Sequence, residues 1–334
     1  MDPHEYLSDD GHALLALCSA FALPDDVSAT GPSPFTLSEW NQLARQLQSS
    51  SLKRPADFQG RTAKELSKDL GLPVEDAERI SRLLERSGGL ALQLEGLFSR
   101  GMWAVTRLDE RYPARLRETL KHQAPTVLFG AGEIELLQRP SVAVIGSRNI
   151  DEAGTAFARQ IGGKAAAANL AVVSGGARGT DRLAMEGVLA ADGAAIGALA
   201  DSLEATIRKS DVREFLLDGR LALLTPYAPT AGFSVGAAMG RNKIIYGLAE
   251  FAVVVSSDFR TGGTWAGAVE ALKNGWCPVF VRDDTSVPKG NRELLKLGSV
   301  ALTEGSLGNL EDLKEWMRSH AKANLAEPDL FGRE

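Results

Sequence analysis

An α/β fold built on an extended Rossmann-type parallel sheet, preceded by an all-helical N-terminal module, is what this sequence predicts. Three observations carry that expectation. An apolar run at 142–145 stops at Gly146-Ser147-Arg148, and after a polar-start helix a second run at 170–173 stops at Ser174-Gly175-Gly176. Four further short apolar runs, at 194–199, 221–224, 251–255 and 278–281, alternate with helical or loop segments. Glycine turns recur where these runs end. Strands alternating with helices imply parallel pairing through right-handed crossovers, and such sheets bind ligands beyond their strand ends. Glycine is used there because a backbone N–H approaches a phosphate closely only where no Cβ intervenes.

In chain order, the first hundred residues read as short helices. Residues 13–21 are apolar with helical period, and 33–48 carries Thr36 or Ser38 as a cap ahead of Trp40, Leu43 and Leu47. Thr62-Ala63-Lys64-Glu65 has the pattern of a capping box before Leu66 and Leu70. Leu72-Pro73 introduces a helix with Ala77, Ile80, Leu83 and Leu84, and 90–99 closes the module at Gly101. Such a module either binds DNA or protein or serves as a packing accessory. Residues 1–101 are therefore the helical module, and 102–140 form a bridge with brief strands at 103–106 and 127–130. The Rossmann-type sheet domain spans 141–305. Residues 306–334 give a C-terminal helix and, from about Ala321, a flexible tail.

Composition narrows the function. The net charge of -6 over 334 residues argues against a protein coating nucleic acid with its whole surface, yet leaves room for a local basic groove. No long apolar segment or signal-peptide profile is present, so the protein is expected in the cytoplasm, away from membranes. Cys18 and Cys277 form no C-x-x-C pattern, as expected of a reduced protein, and four scattered histidines lack metal-ligand spacing. No metal site and no cofactor are expected.

The candidate site is a set of strand-end segments. Gly146, Ser147 and Arg148 follow the first core strand; Ser174, Gly175, Arg178 and Gly179 follow the second. Arg241, Asn242 and Lys243 read as the start of a helix at 244–249, where a helix N-terminus attracts anions. An Asn cap and a solvated Lys would explain the same residues. Thr261, Gly262, Gly263 and Thr264 form an anion nest ahead of a helix at 265–273. Asn291, in the last strand-end loop, either reaches a ribose or phosphate or bonds its own turn. Asp181 reads as a helix cap. Tyr246, Phe259 and Trp265 are the aromatics near these turns, for stacking or for packing. No G-x-x-x-x-G-K-[ST] or G-x-G-x-x-G motif is present, and no catalytic set is expected.

With those residues in place, the chain resembles the DNA-processing protein A (DprA/Smf) family over roughly residues 70–300. The resemblance rests on VAVIGSR (142–148), SGGARGTD (174–181), RNKIIYGL (241–248) and GNRELLKLG (290–298), in that order, with TRLDERYPARL (106–116) ahead of the sheet. It implies a single-stranded DNA-binding protein that protects incoming strands in natural transformation and loads a RecA-type recombinase, commonly as a homodimer. Carried over by position, Arg148, Ser174, Arg241, Asn242, Lys243, Thr261 and Gly262 line the DNA pocket. The sequence departs from the family at Ala184-Met185, at Ala237-Ala238-Met239-Gly240 and at Thr261-Gly262-Gly263. A defence-associated or nucleotide-sensing Rossmann module is the alternative. A third is a Lonely Guy-type phosphoribohydrolase, whose glutamate is out of register here at Glu270. Asp329-Leu330-Phe331 is similar to peptides that dock on sliding clamps, set against a plain disordered tail.

Overall fold

The computed structural model describes residues 6–23 and 31–325. Asp329, Leu330 and Phe331, with their expected clamp contact, lie outside the described residues, as does most of the expected tail. The helix Leu313–Leu325 (α15) runs past Ala321, where that tail was expected to begin.

Among the described residues, nine strands form one sheet: β1 (Met102–Thr106), β2 (Val127–Gly132), β3 (Ser141–Gly146), β4 (Ala171–Ser174), β5 (Ala195–Ala198), β6 (Leu221–Thr225), β7 (Phe251–Ser256), β8 (Val279–Arg282) and β9 (Val300–Leu302). Their spatial order is β1-β2-β6-β5-β4-β3-β7-β8-β9. The seven strands from β6 to β9 pair in parallel, while β1 and β2 add an antiparallel edge. Successive strand residues point to opposite faces, yet β4, β5, β6, β7 and β8 are buried at every position, so both faces are covered. The apolar runs in the sequence are uninterrupted for this reason.

Strand order runs outward in one direction from β3 through β4 and β5, and in the other from β7 through β8 and β9. The neighbours β3 and β7 therefore flank the point where the winding reverses, and the helices leaving their carboxyl ends diverge to open a crevice there. The register of this pair shifts between Ile145 and Gly146, which turns the end of β3 out of the ladder.

The helical module has its own apolar cluster. It is built from α1 (Asp9–Cys18), α2 (Leu37–Ser49), α3 (Ala63–Leu70) and α4 (Val74–Glu85), with Trp40, Phe58, Leu66 and Ile80 buried in it. Thr36 and Thr62 both close reciprocal capping boxes, with Glu39 and Glu65. The next helix, α5 (Ser87–Ser99), packs instead on β1, and Leu90, Leu94 and Leu97 belong to the sheet's core. Tyr6, Leu7, Leu15 and Ala16 join the same core, so the apolar clusters do not part at Gly101, and the expected bridge supplies two strands of the sheet.

Asp109 locks the module to the sheet. Its buried carboxylate accepts from the Ser8 amide at 2.8 Å and hydroxyl at 2.6 Å, and from the Thr106 amide and hydroxyl at 2.7 Å each. Removing it leaves four donors unsatisfied. Asp109→Ala is expected to cost about 2–4 kcal/mol. Chemical denaturation checks this, and a loss under ~0.5 kcal/mol would show that water replaces the carboxylate.

Candidate nucleic-acid interface

Two adjoining clefts lie beyond the carboxyl ends of the parallel strands. The first, about 400 Å³, sits at the β3–β7 switch point; the second, about 380 Å³, lies beside the ends of β4 and β5. Arg148, Ala177, Phe233 and Arg241 line both.

The loops are held by short-range ties. The Ser147 amide donates to Ser256 O at 2.8 Å, joining the ends of β3 and β7. Thr180 opens α8 (Thr180–Ala190) and donates through its amide and hydroxyl to Ser147 O. Gly179 lies at φ 90°, where L side chains rarely settle, and a Cβ there would sit 2.5 Å from Arg148 O. The glycine therefore lets the β4 loop close behind Arg148 and leaves that side chain exposed on the rim.

The strand-end amides are already occupied by a resident anion. Asp181, in the first turn of α8, is buried, and its Oδ2 accepts from the Gly175 amide at 3.0 Å. The Gly146 and Ala177 amides lie near the same carboxylate and favour its ionised form. Burial raises its pKa to about 6, against the lowering pull of Arg241 and of those amides. A Cβ at Gly175 would sit 2.6 Å from Asp181 Oδ2 and collide with Arg241 Nη1, so glycine is required there to bring carboxylate and guanidinium together. Asp181 is thus a strand-end counter-ion rather than a plain helix cap.

Arg241 is 6% exposed and donates through Nη1 to Ala198 O at 2.6 Å, while its buried Nε has no hydrogen-bond partner. Burial lowers its pKa, offset by Asp181 and Asp201. The sequence placed Arg241, Asn242 and Lys243 at a helix start. They lie well inside α11 (Val235–Leu248), which Ser234 caps. Ala237, Ala238 and Met239 extend the helix backward, and the glycines at 236 and 240 do not break it. Two residues further along a helix turn a side chain by about 200°. Arg241 and Asn242 therefore face the first cleft, while Lys243 lines a separate hollow with Tyr227 and Leu37.

Of the other expected residues, the first cleft gathers Gly146, Ser147, Arg148, Thr261, Gly262, Gly263 and Thr264, and the second Gly175 and Arg178. Gly262 and Gly263 open α12 (Gly262–Asn274). Ser174 and Asn291 reach neither. The Ser174 hydroxyl is buried and donates to Val144 O at 2.6 Å. Asn291 is fully buried and spans the ends of β7 and β8: it accepts from the Ser257 amide at 2.8 Å and donates to Val255 O at 3.1 Å and Arg282 O at 2.9 Å. It shapes the rim without touching a ligand. Asn242 is also engaged, donating to Gly263 O at 3.0 Å. Tyr246 is buried and unable to stack on a base, whereas Phe259 and Trp265 pack edge to face at 5.1 Å.

The sequence missed Phe233 and Lys209. Phe233 is 55% exposed beside both clefts, with the Arg148 guanidinium 5.6 Å from its ring centroid. A lone aromatic between Gly232 and Ser234 was the signal available. Lys209 lines the second cleft from the start of α10 (Ser210–Leu217). Among the described residues, no carboxylate comes within ion-pair distance of Arg148, Arg178 or Lys209. No group of three His, Cys, Asp or Glu side chains there suits a metal, and no helix there is long and apolar enough to cross a membrane.

The model of the DNA recombination-mediator protein A family matches residues 103–307, more than half of the chain. The chain belongs to that family. Within it, the chain is 29% identical over 203 residues to the DNA processing protein DprA of Streptococcus pneumoniae, covering 59% of this chain and 70% of that protein. To Protein Smf of Escherichia coli it is 28% identical over 231 residues, 66% of this chain and 60% of that one. The solved S. pneumoniae DprA matches with a TM-score of 0.59 at 25% identity, over 83% of this chain and 98% of that one. DNA processing protein A of Helicobacter pylori, described for its single-stranded DNA binding mode, shares the fold: TM-score 0.52 and 22% identity over 66% of this chain and 96% of that one.

The Asp181 arrangement sets a pH dependence. Its folded-state pKa lies above the ordinary 3.8, so the folded state binds the extra proton. The associated stability is full below that value and is lost as pH rises through about 6. Asp181→Asn should remove roughly 2–3 kcal/mol of decline between pH 4 and 7. Parallel melting curves across that range would refute this.

Proposed function

We propose that this recombination-mediator family member binds single-stranded DNA across the carboxyl ends of its parallel strands. The observation that carries the reading is the exposed Arg148–Phe233 pair lining both clefts, with Arg178 and Lys209 beside it and, among the described residues, no carboxylate within ion-pair distance of these cations, although Asp181 and Asp258 line the first cleft and Asp201 the second. Phosphates suit the three exposed cations, while Phe233 offers a stacking face to a base. Backbone amides contribute less than the glycine turns suggested, because Asp181 holds several of them. The H. pylori relative's described mode of binding supports the same ligand. A homodimer and transfer of the strand to a RecA-type recombinase belong to this proposal, supported by the family's mediator description.

Phosphoribohydrolase chemistry is disfavoured by Glu270, the out-of-register carboxylate: it is exposed on α12 and lines neither cleft, whereas the carboxylates that do line them are Asp181, Asp258 and Asp201.

Arg148→Glu with Arg178→Glu, both at exposed positions, should weaken binding of oligothymidylate at least tenfold. The salt slope should become shallower by about 1.4, at about 0.7 per phosphate contact. Phe233→Ala should cost about 1–3 kcal/mol. Affinity saturating with a mononucleotide and indifferent to strand length would replace this reading with nucleotide sensing, and turnover to ribose phosphate would replace it with hydrolysis. Arg241→Glu is not a clean probe: it buries a second carboxylate against Asp181 and should unfold the protein.

A further inference from the structure

A second basic groove lies away from the rim, where α2 of the helical module faces α6 (Ala114–Leu120) and the loop after it. It encloses about 620 Å³ and is lined by Arg45, Arg107, Arg117, Lys121 and His122, without any Asp or Glu. In a chain of net charge -6 that concentration is a local exception. The similarly large cleft at Tyr6 and Arg111 has the opposite character, with Asp109, Glu110 and Glu135 in its walls.

The groove's cations lack counter-ions. Arg107 is half-buried, and burial lowers its pKa, yet its guanidinium bonds only neutral oxygens: Asn41 Oδ1 at 2.9 Å and Ala124 O at 3.3 Å. Arg117 donates to Arg107 O at 3.1 Å. Among the described residues, none of Arg45, Arg107, Arg117 and Lys121 has a carboxylate within ion-pair distance. Desolvating a cation without a partner costs free energy that an incoming anion offsets. Lys121 also sits at φ 52°, ψ -121°, a conformation that favours glycine, and strain of this kind gathers where a side chain has a task. Leu108, 42% exposed, adds an apolar surface in the same wall.

A third hollow holds the half-buried Lys243. It is lined by Gly240, a chain neighbour of the rim residues Met239 and Arg241, and by Leu37, a chain neighbour of Ser38 in the groove.

We propose that the α2–α6 groove is a second seat for the phosphate backbone of the same single strand, reached from the rim over Lys243. This rests on the rim reading above. The helical module is then part of the DNA path.

The test uses the full chain with a labelled oligothymidylate of about 6 nucleotides, matched to one small site, and one of about 30. Arg45→Ala with Lys121→Ala changes only exposed side chains. It should weaken the long strand five- to twentyfold, leave the short strand within twofold, and lower the long-strand salt slope by about 1.4. Unchanged affinity and slope for the long strand would overturn the groove and leave the rim intact. Loss of short-strand binding only in Arg148→Glu/Arg178→Glu would keep the two sites distinct. Wild-type protein that binds neither strand would overturn both. If polyglutamate binds through Arg45 and Lys121 while the long strand ignores them, the groove belongs to an acidic protein instead.

Discussion

The Asp181 carboxylate, held by backbone amides at the ends of β3 and β4 and set near the Arg241 guanidinium, is the interaction on which the site depends. Backbone N–H groups at a strand-to-helix turn carry partial positive charge and accept any anion that reaches them. Here the protein supplies that anion itself. The consequences follow by elimination: Gly175 has no room for a Cβ, and Arg241 is drawn inward toward buried charge. What faces solvent is a second layer of cations, Arg148, Arg178 and Lys209, set on a rim whose inner charges are nearly balanced. A site of this kind grips a backbone through flexible side chains and imposes little sequence preference, because phosphate contacts carry no base information.

The sheet makes such a rim possible, and its edges make it specific to this chain. Parallel strands buried on both faces all deliver their carboxyl ends to one side. Reversal of winding between β3 and β7 then opens a crevice that no loop has to be built to create. Asn291 keeps the β7 and β8 ends at fixed separation by bonding three backbone groups, so the crevice has a stiff wall on that side. On the opposite edge, β1 and β2 extend the sheet antiparallel and carry the helical module with them. Asp109 turns that attachment into a rigid joint, since a buried carboxylate with four donors has one low-energy position.

Much of the fold was legible because it depends on short-range pattern. Continuous apolar runs located β3 to β8 within a residue or two, and the Thr62–Glu65 spacing located α3. What was not legible depends on partners distant in the chain. Arg241, Asn242 and Lys243 read as one cationic cluster, but helical geometry sends Arg241 and Lys243 to different surfaces. Ser174 and Asn291 look like polar site residues until their acceptors are known; those lie 30 residues away for Ser174 and 9 to 36 for Asn291. β9 is not legible because Val300, Ala301 and Leu302 make too short a run, of which only Leu302 is buried. Phe233 was passed over because an aromatic in a small-residue loop shows its role only when the loop is seen against Arg148.

Net charge gives a poor account of partner choice in this molecule. At physiological ionic strength the field of a surface charge fades within about 8 Å, so a strand on the rim senses only nearby groups. Carboxylates gather around Tyr6 and on exposed helix faces, and Asp181, Asp201 and Asp258 stand in the strand-end clefts themselves. Among the described residues, Arg148, Arg178 and Lys209 on the rim and Arg45, Arg107, Arg117 and Lys121 in the α2–α6 groove have no carboxylate within ion-pair distance. Under that screening an acidic total does little to a polyanion at a distance, and local cations decide where it is admitted. That combination suits a protein that holds a strand without coating it.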